Sequence, residues 1–173
     1  VELMGYDWFD KLVHVPYGTV SINGEKLATR TGNVILLRDL FAESIAKVES
    51  IMKEKNPDLP DMDKVSEAVG VGAIVFYYLS NNRIRDINFM MEDALSFEGN
   101  TGPYVQYTYA RTCSVLAKSP DYDKNAALKI TSPDETSLLK TLSRFEEVVR
   151  EAIEAYEPSV VTRYILDVAG AYN

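Results

Sequence analysis

Two stretches of this sequence collect side chains capable of chemistry. The first is Gly24-Glu25-Lys26-Leu27-Ala28-Thr29-Arg30-Thr31-Gly32-Asn33, which follows directly on a turn signal. Lys26 and Arg30 supply positive charge, while the hydroxyls of Thr29 and Thr31 and the loop N–H groups supply directional donors. A loop of this make-up can close on phosphates and neutralise charge that develops during transfer at phosphorus. Its composition equally permits a solvated basic surface loop.

The second stretch runs from Ala94 to Arg111 and is rich in tyrosine. At helical spacing Tyr104, Tyr107, Thr108 and Arg111 share one face, and Val105, Tyr109, Thr112 and Leu116 another. Tyrosine faces beside an arginine suit stacking on unpaired bases and gripping phosphate. The same tyrosines could instead be core or interface residues whose hydroxyls find backbone partners. Arg83 and Arg85, just upstream, could join Arg111 in a local basic patch.

Other chemistries lack their residues. Acids outnumber bases 26 to 18, a net charge of -8, so a generally basic nucleic-acid coat is excluded. One cysteine and one histidine cannot build a disulfide framework or a zinc site. His14 has no nucleophile with triad logic beside it, and Cys113 is expected to be a small buried hydrophobe. Asp61 and Asp63 look like helix caps, and the Glu146–Glu151 run like a solvated face. No Walker loop or dinucleotide fingerprint is present. The longest apolar run, Val69 to Leu79, is about half the roughly 20 residues of a membrane span.

The elements that must position these residues can be read coarsely. Leu12 to Leu27 is strand-like, interrupted near Pro16 and Gly18. Asn23-Gly24 predicts a tight hairpin pairing Val20–Ile22 with Glu25–Leu27, and Val34–Leu37 reads as a further short strand. Everything after Arg38 reads as helix. Asp39 is expected to cap a helix with the stripe Phe41, Ile45, Val48 and Met52. A second helix, about Asp63 to Ser80, contains Gly70 and Gly72, which predict close helix packing. Pro103 opens the tyrosine-rich helix, which extends to about Lys118. Ser132-Pro133-Asp134-Glu135 is a capping box opening a helix that carries Leu138, Leu142, Phe145, Val149, Ala152 and Tyr156. Pro158 breaks that helix, and a last one carries Val160, Tyr164, Val168 and Tyr172. The fold class is therefore mainly α, a helical bundle preceded by a small β-containing piece.

With those residues in view, a family resemblance emerges. The run Phe97-Glu98-Gly99-Asn100-Thr101-Gly102-Pro103-Tyr104-Val105-Gln106-Tyr107, within Ala94–Arg111, closely resembles the start of the helical anticodon-binding domain of arginyl-tRNA synthetases. His14-Val15-Pro16-Tyr17-Gly18, continuing through Lys26-Leu27-Ala28-Thr29-Arg30-Thr31-Gly32-Asn33-Val34, resembles that family's second signature loop, the counterpart of K-M-S-K-S in class I synthetases. Two matches in the right order and spacing are far more specific than one, and the resemblance covers essentially the whole chain.

The resemblance implies a bundle of the class I anticodon-binding type after a remnant of a Rossmann-like catalytic domain. The implied division is residues 1–38 for the remnant, 39–93 for connecting helices and 94–173 for the anticodon-binding domain. It implies ATP-dependent ligation of arginine to its tRNA through arginyl-adenylate, with a first step that generally needs tRNA. Lys26 and Arg30 would be catalytic, and Lys26, Thr29, Arg30 and Gly32 would bind ATP, Gly32 supplying backbone freedom. Asn100, Tyr104, Gln106, Tyr107 and Arg111 would lie on the tRNA-facing or domain-junction side, and Val15 to Gly18 would approach the nucleotide. ATP is a substrate, with Mg2+ accompanying it in the full enzyme and no metal site in this stretch. The implied partners are tRNA, arginine and ATP, with no membrane and no DNA, in the cytoplasm.

Two residues depart from the family pattern. Thr29 stands at the second lysine of K-M-S-K-S, which makes Arg30 the substitute candidate. Tyr109 stands where the Tyr-x-His-Ala-Arg run has histidine, and it can stack but cannot titrate near neutrality. No H-I-G-H-like motif is present. Val1 at the start and helical rhythm up to Asn173 read as cuts inside a longer protein, so this piece alone is expected not to aminoacylate. A non-catalytic tRNA-binding adaptor and a purely structural helical domain are the competing readings; Lys26 and Arg30 argue against the first, and tyrosine exposure tests the second.

Overall fold

The computed structural model describes residues 2–27, 34–119, 125–127 and 129–173. Asn23 and Gly24 both take positive φ, 52° and 81°. That is the geometry whose twist matches two antiparallel strands. It folds β1 (Val20–Ile22) back on β2 (Glu25–Lys26), with Ser21 opposite Lys26. The hairpin thus forms as its sequence predicts.

Its other neighbour is not the expected one. β3 (Ile87–Phe89) pairs with β1 in parallel, Ser21 opposite Asn88, giving the order β2-β1-β3. The expectation of helix throughout after Arg38 fails here. Val34–Leu36 form no strand, and Leu12–Val15 lie outside any element, after a 3-10 turn at Phe9–Lys11. A strand needs a partner, and β1's two edges are already taken by β2 and β3.

The first helix, α1 (Leu37–Lys55), begins two residues before Asp39, which sits in the first turn and pairs with Arg38 at 3.2 Å instead of capping. α1 packs on α2 (Met62–Ser80). Gly70 makes the close approach possible, because a Cβ there would meet the Ile45 backbone nitrogen at 2.9 Å. The Ser44 hydroxyl uses the same proximity to donate to the Gly70 carbonyl at 2.9 Å. Asp61 occupies the α2 cap position, yet its carboxylate pairs with Lys64 at 2.9 Å rather than with the helix N–H groups.

Phe89 drives β3 into the core. It is fully buried, stacked on Tyr78 (5.5 Å, 4° between planes) and edge-on to Tyr77 (5.0 Å), among Leu40, Val48, Ala73, Ile74, Met91, Ala94 and Leu95. Burying one such ring contributes about 1.5–3 kcal/mol. The short α3 (Met91–Ala94) follows, then α4 (Gly102–Lys118). The Ser132–Glu135 capping box is present and opens α5 (Pro133–Ser143). The single helix expected up to Tyr156 is instead two, α5 and α6 (Phe145–Ala155), divided at Arg144. Both pack on α7 (Ser159–Tyr172). A straight helix from Pro133 to Ala155 would be roughly 35 Å long against roughly 21 Å for α7 at 1.5 Å per residue, so the bend keeps both halves in contact.

Candidate functional site

The phosphate-side candidate is the hairpin and the segment leading into it. Gly18 donates its N–H to the Arg83 carbonyl at 2.8 Å. A Cβ at Gly18 would lie 2.1 Å from the Arg85 carbonyl oxygen, so only glycine fits this crossing. The next residue is clasped by Asp86, whose carboxylate accepts from the Thr19 N–H at 2.7 Å and the Thr19 hydroxyl at 2.8 Å. Those two bonds, with the Lys26 charge as a smaller contribution, hold the Asp86 carboxyl below its ordinary range. Asn88 braces the turn, its amide oxygen accepting from Gly24 N–H at 2.7 Å and Ser21 hydroxyl at 3.1 Å. Lys26 stands exposed on β2. Thr29, Arg30 and Gly32 lie outside the described residues.

The RNA-side candidate is α4. Thr101 caps it, accepting from the Tyr104 N–H at 3.2 Å and donating to the Ser96 carbonyl at 2.6 Å. Gly102 lies against α2, where a Cβ would be 3.0 Å from the Gly72 carbonyl oxygen. Tyr104, Thr108 and Arg111 do share a face, and they converge on Asn173 at the end of α7. Asn173 donates to the Thr108 hydroxyl at 2.8 Å and to the Tyr104 hydroxyl at 3.1 Å, and accepts from Arg111 at 2.9 Å. The Arg111 guanidinium also sits 6.0 Å above the Tyr107 ring, within cation–π range. Asn100 and Tyr107 are exposed. Gln106 turns toward α2, donating to the Ala68 carbonyl at 3.0 Å, while its Oε1 is buried without a hydrogen-bond partner among the described residues.

Two expectations about this region change. Cys113 is exposed rather than buried. It hydrogen-bonds Tyr109, pushing that phenol above its ordinary range. Arg83 does not join Arg111 in a basic patch. It bonds Glu157 and the end of α6, at the start of α7, whereas Arg111 bonds Asn173 at the other end. The length of α7 separates them by about 20 Å. The node that Arg83 forms was missed in the sequence, since its partners lie 67 and more residues away. Beside α4, an apolar groove of about 640 Å³ is lined by Val105, Tyr109, Leu138, Phe145, Val168 and Tyr172, among others. Among the described residues no group of three or more His, Cys, Asp or Glu side chains could hold a metal ion, and no helix is long and apolar enough to cross a membrane.

A hairpin joined to a helical bundle in this order is the arrangement of a known class. Residues 1–91 match the family described as tRNA synthetases class I (R), catalytic domain, and residues 105–173 match the DALR anticodon binding domain. An arginine–tRNA ligase of Clostridium acetobutylicum is 47% identical over 174 residues, and one of Ligilactobacillus salivarius 44% over 171. These alignments cover 100% and 98% of this chain but only 31% and 30% of those proteins, so the chain spans about a third of the length of the relatives it matches. The Thermus thermophilus arginyl-tRNA synthetase superposes with a TM-score of 0.84 at 36% identity, covering 92% of this chain and 26% of that one. The Plasmodium falciparum arginyl-tRNA synthetase shares the fold, with a TM-score of 0.82 at 24% identity, covering 99% of this chain and 30% of that one. The class is therefore that of the class I aminoacyl-tRNA synthetases. Within it, the chain belongs to the arginyl-tRNA synthetase family.

Proposed function

We propose that this chain serves an ATP-dependent arginine–tRNA ligase, in which arginine is activated as arginyl-adenylate with release of pyrophosphate and then transferred to its tRNA. What carries the reading is the succession along one chain of a catalytic-domain match and an anticodon-binding match. The exposed Lys26 on a braced hairpin supports it further. On this reading residues 1–38 close the catalytic domain, 39–93 connect, and 94–173 form the anticodon-binding part. Lys26 and Arg30 neutralise charge building on the transferring phosphate, and Thr29 and Gly32 donate backbone or hydroxyl bonds to it. Asn100, Tyr104, Gln106, Tyr107 and Arg111 serve the tRNA side or its junction, Tyr107 by stacking and Arg111 by charge. Magnesium is expected to accompany the nucleotide phosphates in the full enzyme. On this reading the protein is cytoplasmic.

The test uses the full-length protein. Replacing Lys26 and Arg30 by Ala should slow arginine-dependent ATP–pyrophosphate exchange, measured with tRNA present, by about 10²-fold, the scale of losing a charge-stabilising donor, with tRNA affinity nearly constant. An unchanged exchange rate refutes the assignment.

A further inference from the structure

Arg83 ties together three parts of the chain. Its Nη1 donates to the Pro16 carbonyl at 2.9 Å, its Nε to the Tyr156 carbonyl at 2.8 Å and its Nη2 to the Ala155 carbonyl at 3.4 Å. The Arg83 main chain repeats the link, its N–H reaching the Glu157 carboxylate at 3.4 Å and its carbonyl accepting the Gly18 N–H at 2.8 Å. The Ala155 and Tyr156 carbonyls belong to the end of α6, where helical carbonyls lack partners and a cation is favoured. Tyr156 itself is held in the left-handed region (φ 51°, ψ 41°), which a bulky residue keeps only where its surroundings over-determine it. A planar guanidinium serves Pro16 and α6 at once from three nitrogens fixed in one fork, whereas an ammonium has all its donors on one atom at the end of a flexible stem.

The two things joined are the two candidate surfaces. Pro16–Gly18 runs without interruption into β1 and, through the hairpin, to Lys26. The α6–α7 turn opens α7, whose far end holds Tyr104 and Arg111 through Asn173. We propose that Arg83 is a positioning residue of the ligase, fixing the strand that leads to Lys26 against the α6–α7 turn, so that the RNA-side bundle sets where the phosphate-side hairpin stands. This rests on the ligase reading above. The role is one of placement, and displacing a reacting group by about 1 Å can cost as much as 10²-fold in rate.

The experiment compares Arg83→Ala and Arg83→Lys with the unaltered full-length protein. It measures tRNA affinity and, with saturating tRNA present, the KM for ATP and the arginine-dependent ATP–pyrophosphate exchange rate per titrated active site. The alanine variant should bind tRNA within about twofold of normal, while its KM for ATP rises about fivefold and its rate per active site falls about tenfold. The lysine variant, which keeps the charge but lacks the fixed fork, should recover less than half of the lost rate. If the alanine variant does not fold, the lysine variant decides. Normal KM and normal rate per active site in the folded variants, even with a lower Tm, would overturn the proposal and leave Arg83 as a structural staple. An unaltered protein with no arginine-dependent exchange in the presence of tRNA would instead overturn the ligase reading, and this proposal with it.

Discussion

Gly18→Ala is the sharpest perturbation available. The added methyl would stand 2.1 Å from the Arg85 carbonyl oxygen, 2.3 Å from its carbon and 2.7 Å from the Asp86 nitrogen. All three are backbone atoms, so no side chain can swing aside, and the strand must retreat by more than an ångström. A retreat of that size takes hydrogen bonds of 2.7–2.8 Å past the distance at which they count. At risk are Gly18 N–H to Arg83, Ile87 N–H to Thr19 and Thr19 N–H to Asp86. At about 1 kcal/mol each, losing two or three lowers the cost of local opening by about 2–3 kcal/mol. With tenfold per 1.4 kcal/mol, amide protection at Thr19, Ile87 and Asn23 should fall roughly 30- to 150-fold. Native-state hydrogen exchange on the 173-residue chain reads this residue by residue, and amides of α1 and α2 should keep their protection. Unchanged protection at Ile87 would refute the steric argument. An equal loss everywhere would refute the idea that this junction opens by itself.

Further outcomes follow from the same packing. Gly70→Ala places a methyl 2.9 Å from the Ile45 backbone, so despite the better helix propensity of Ala it should destabilise the chain by about 1–2 kcal/mol in urea unfolding. Ser132→Ala removes the side chain that accepts the Glu135 N–H at 3.1 Å and should cost about 1 kcal/mol, visible as lost amide protection in the first turn of α5. Asp86 has a carboxyl held below its ordinary range by Thr19, so its stabilisation is complete above the unfolded value and fades as pH falls through the folded one. Exchange at Thr19 and Ile87 should therefore accelerate as pH drops below about 4, after correction for intrinsic rates, and Asp86→Asn should weaken that acid dependence. In the full-length protein, Arg111→Ala should weaken tRNA binding and lower the salt slope by about 1; identical slopes would assign Arg111 to packing against Asn173 alone.

Local chemistry made several features legible in the sequence. Asn23-Gly24 has the φ freedom of a hairpin turn, Ser132–Glu135 carries its own reciprocal bonds, and Gly70 lacks the atom that would keep α1 away. The spacing of Tyr104, Thr108 and Arg111 placed them on one face because helix geometry alone fixes it. Resemblance of the Lys26 and Tyr104 stretches to one family supplied what no spacing could, the pairing of phosphate and RNA chemistry.

Only the tertiary structure decided the rest. β3 is three residues whose partner lies 67 residues earlier, and its burial comes from Tyr77 and Tyr78 on a helix. The division of α5 from α6 answers to the length of α7, and the side of the chain on which Arg83 acts answers to the Pro16 and Tyr156 carbonyls. Turns, caps and helix faces depend on neighbours within about four residues, so the order of amino acids determines them. Strand partners, helix breaks and long-range clamps depend on which surfaces meet, and that is settled only when the whole chain closes on its core.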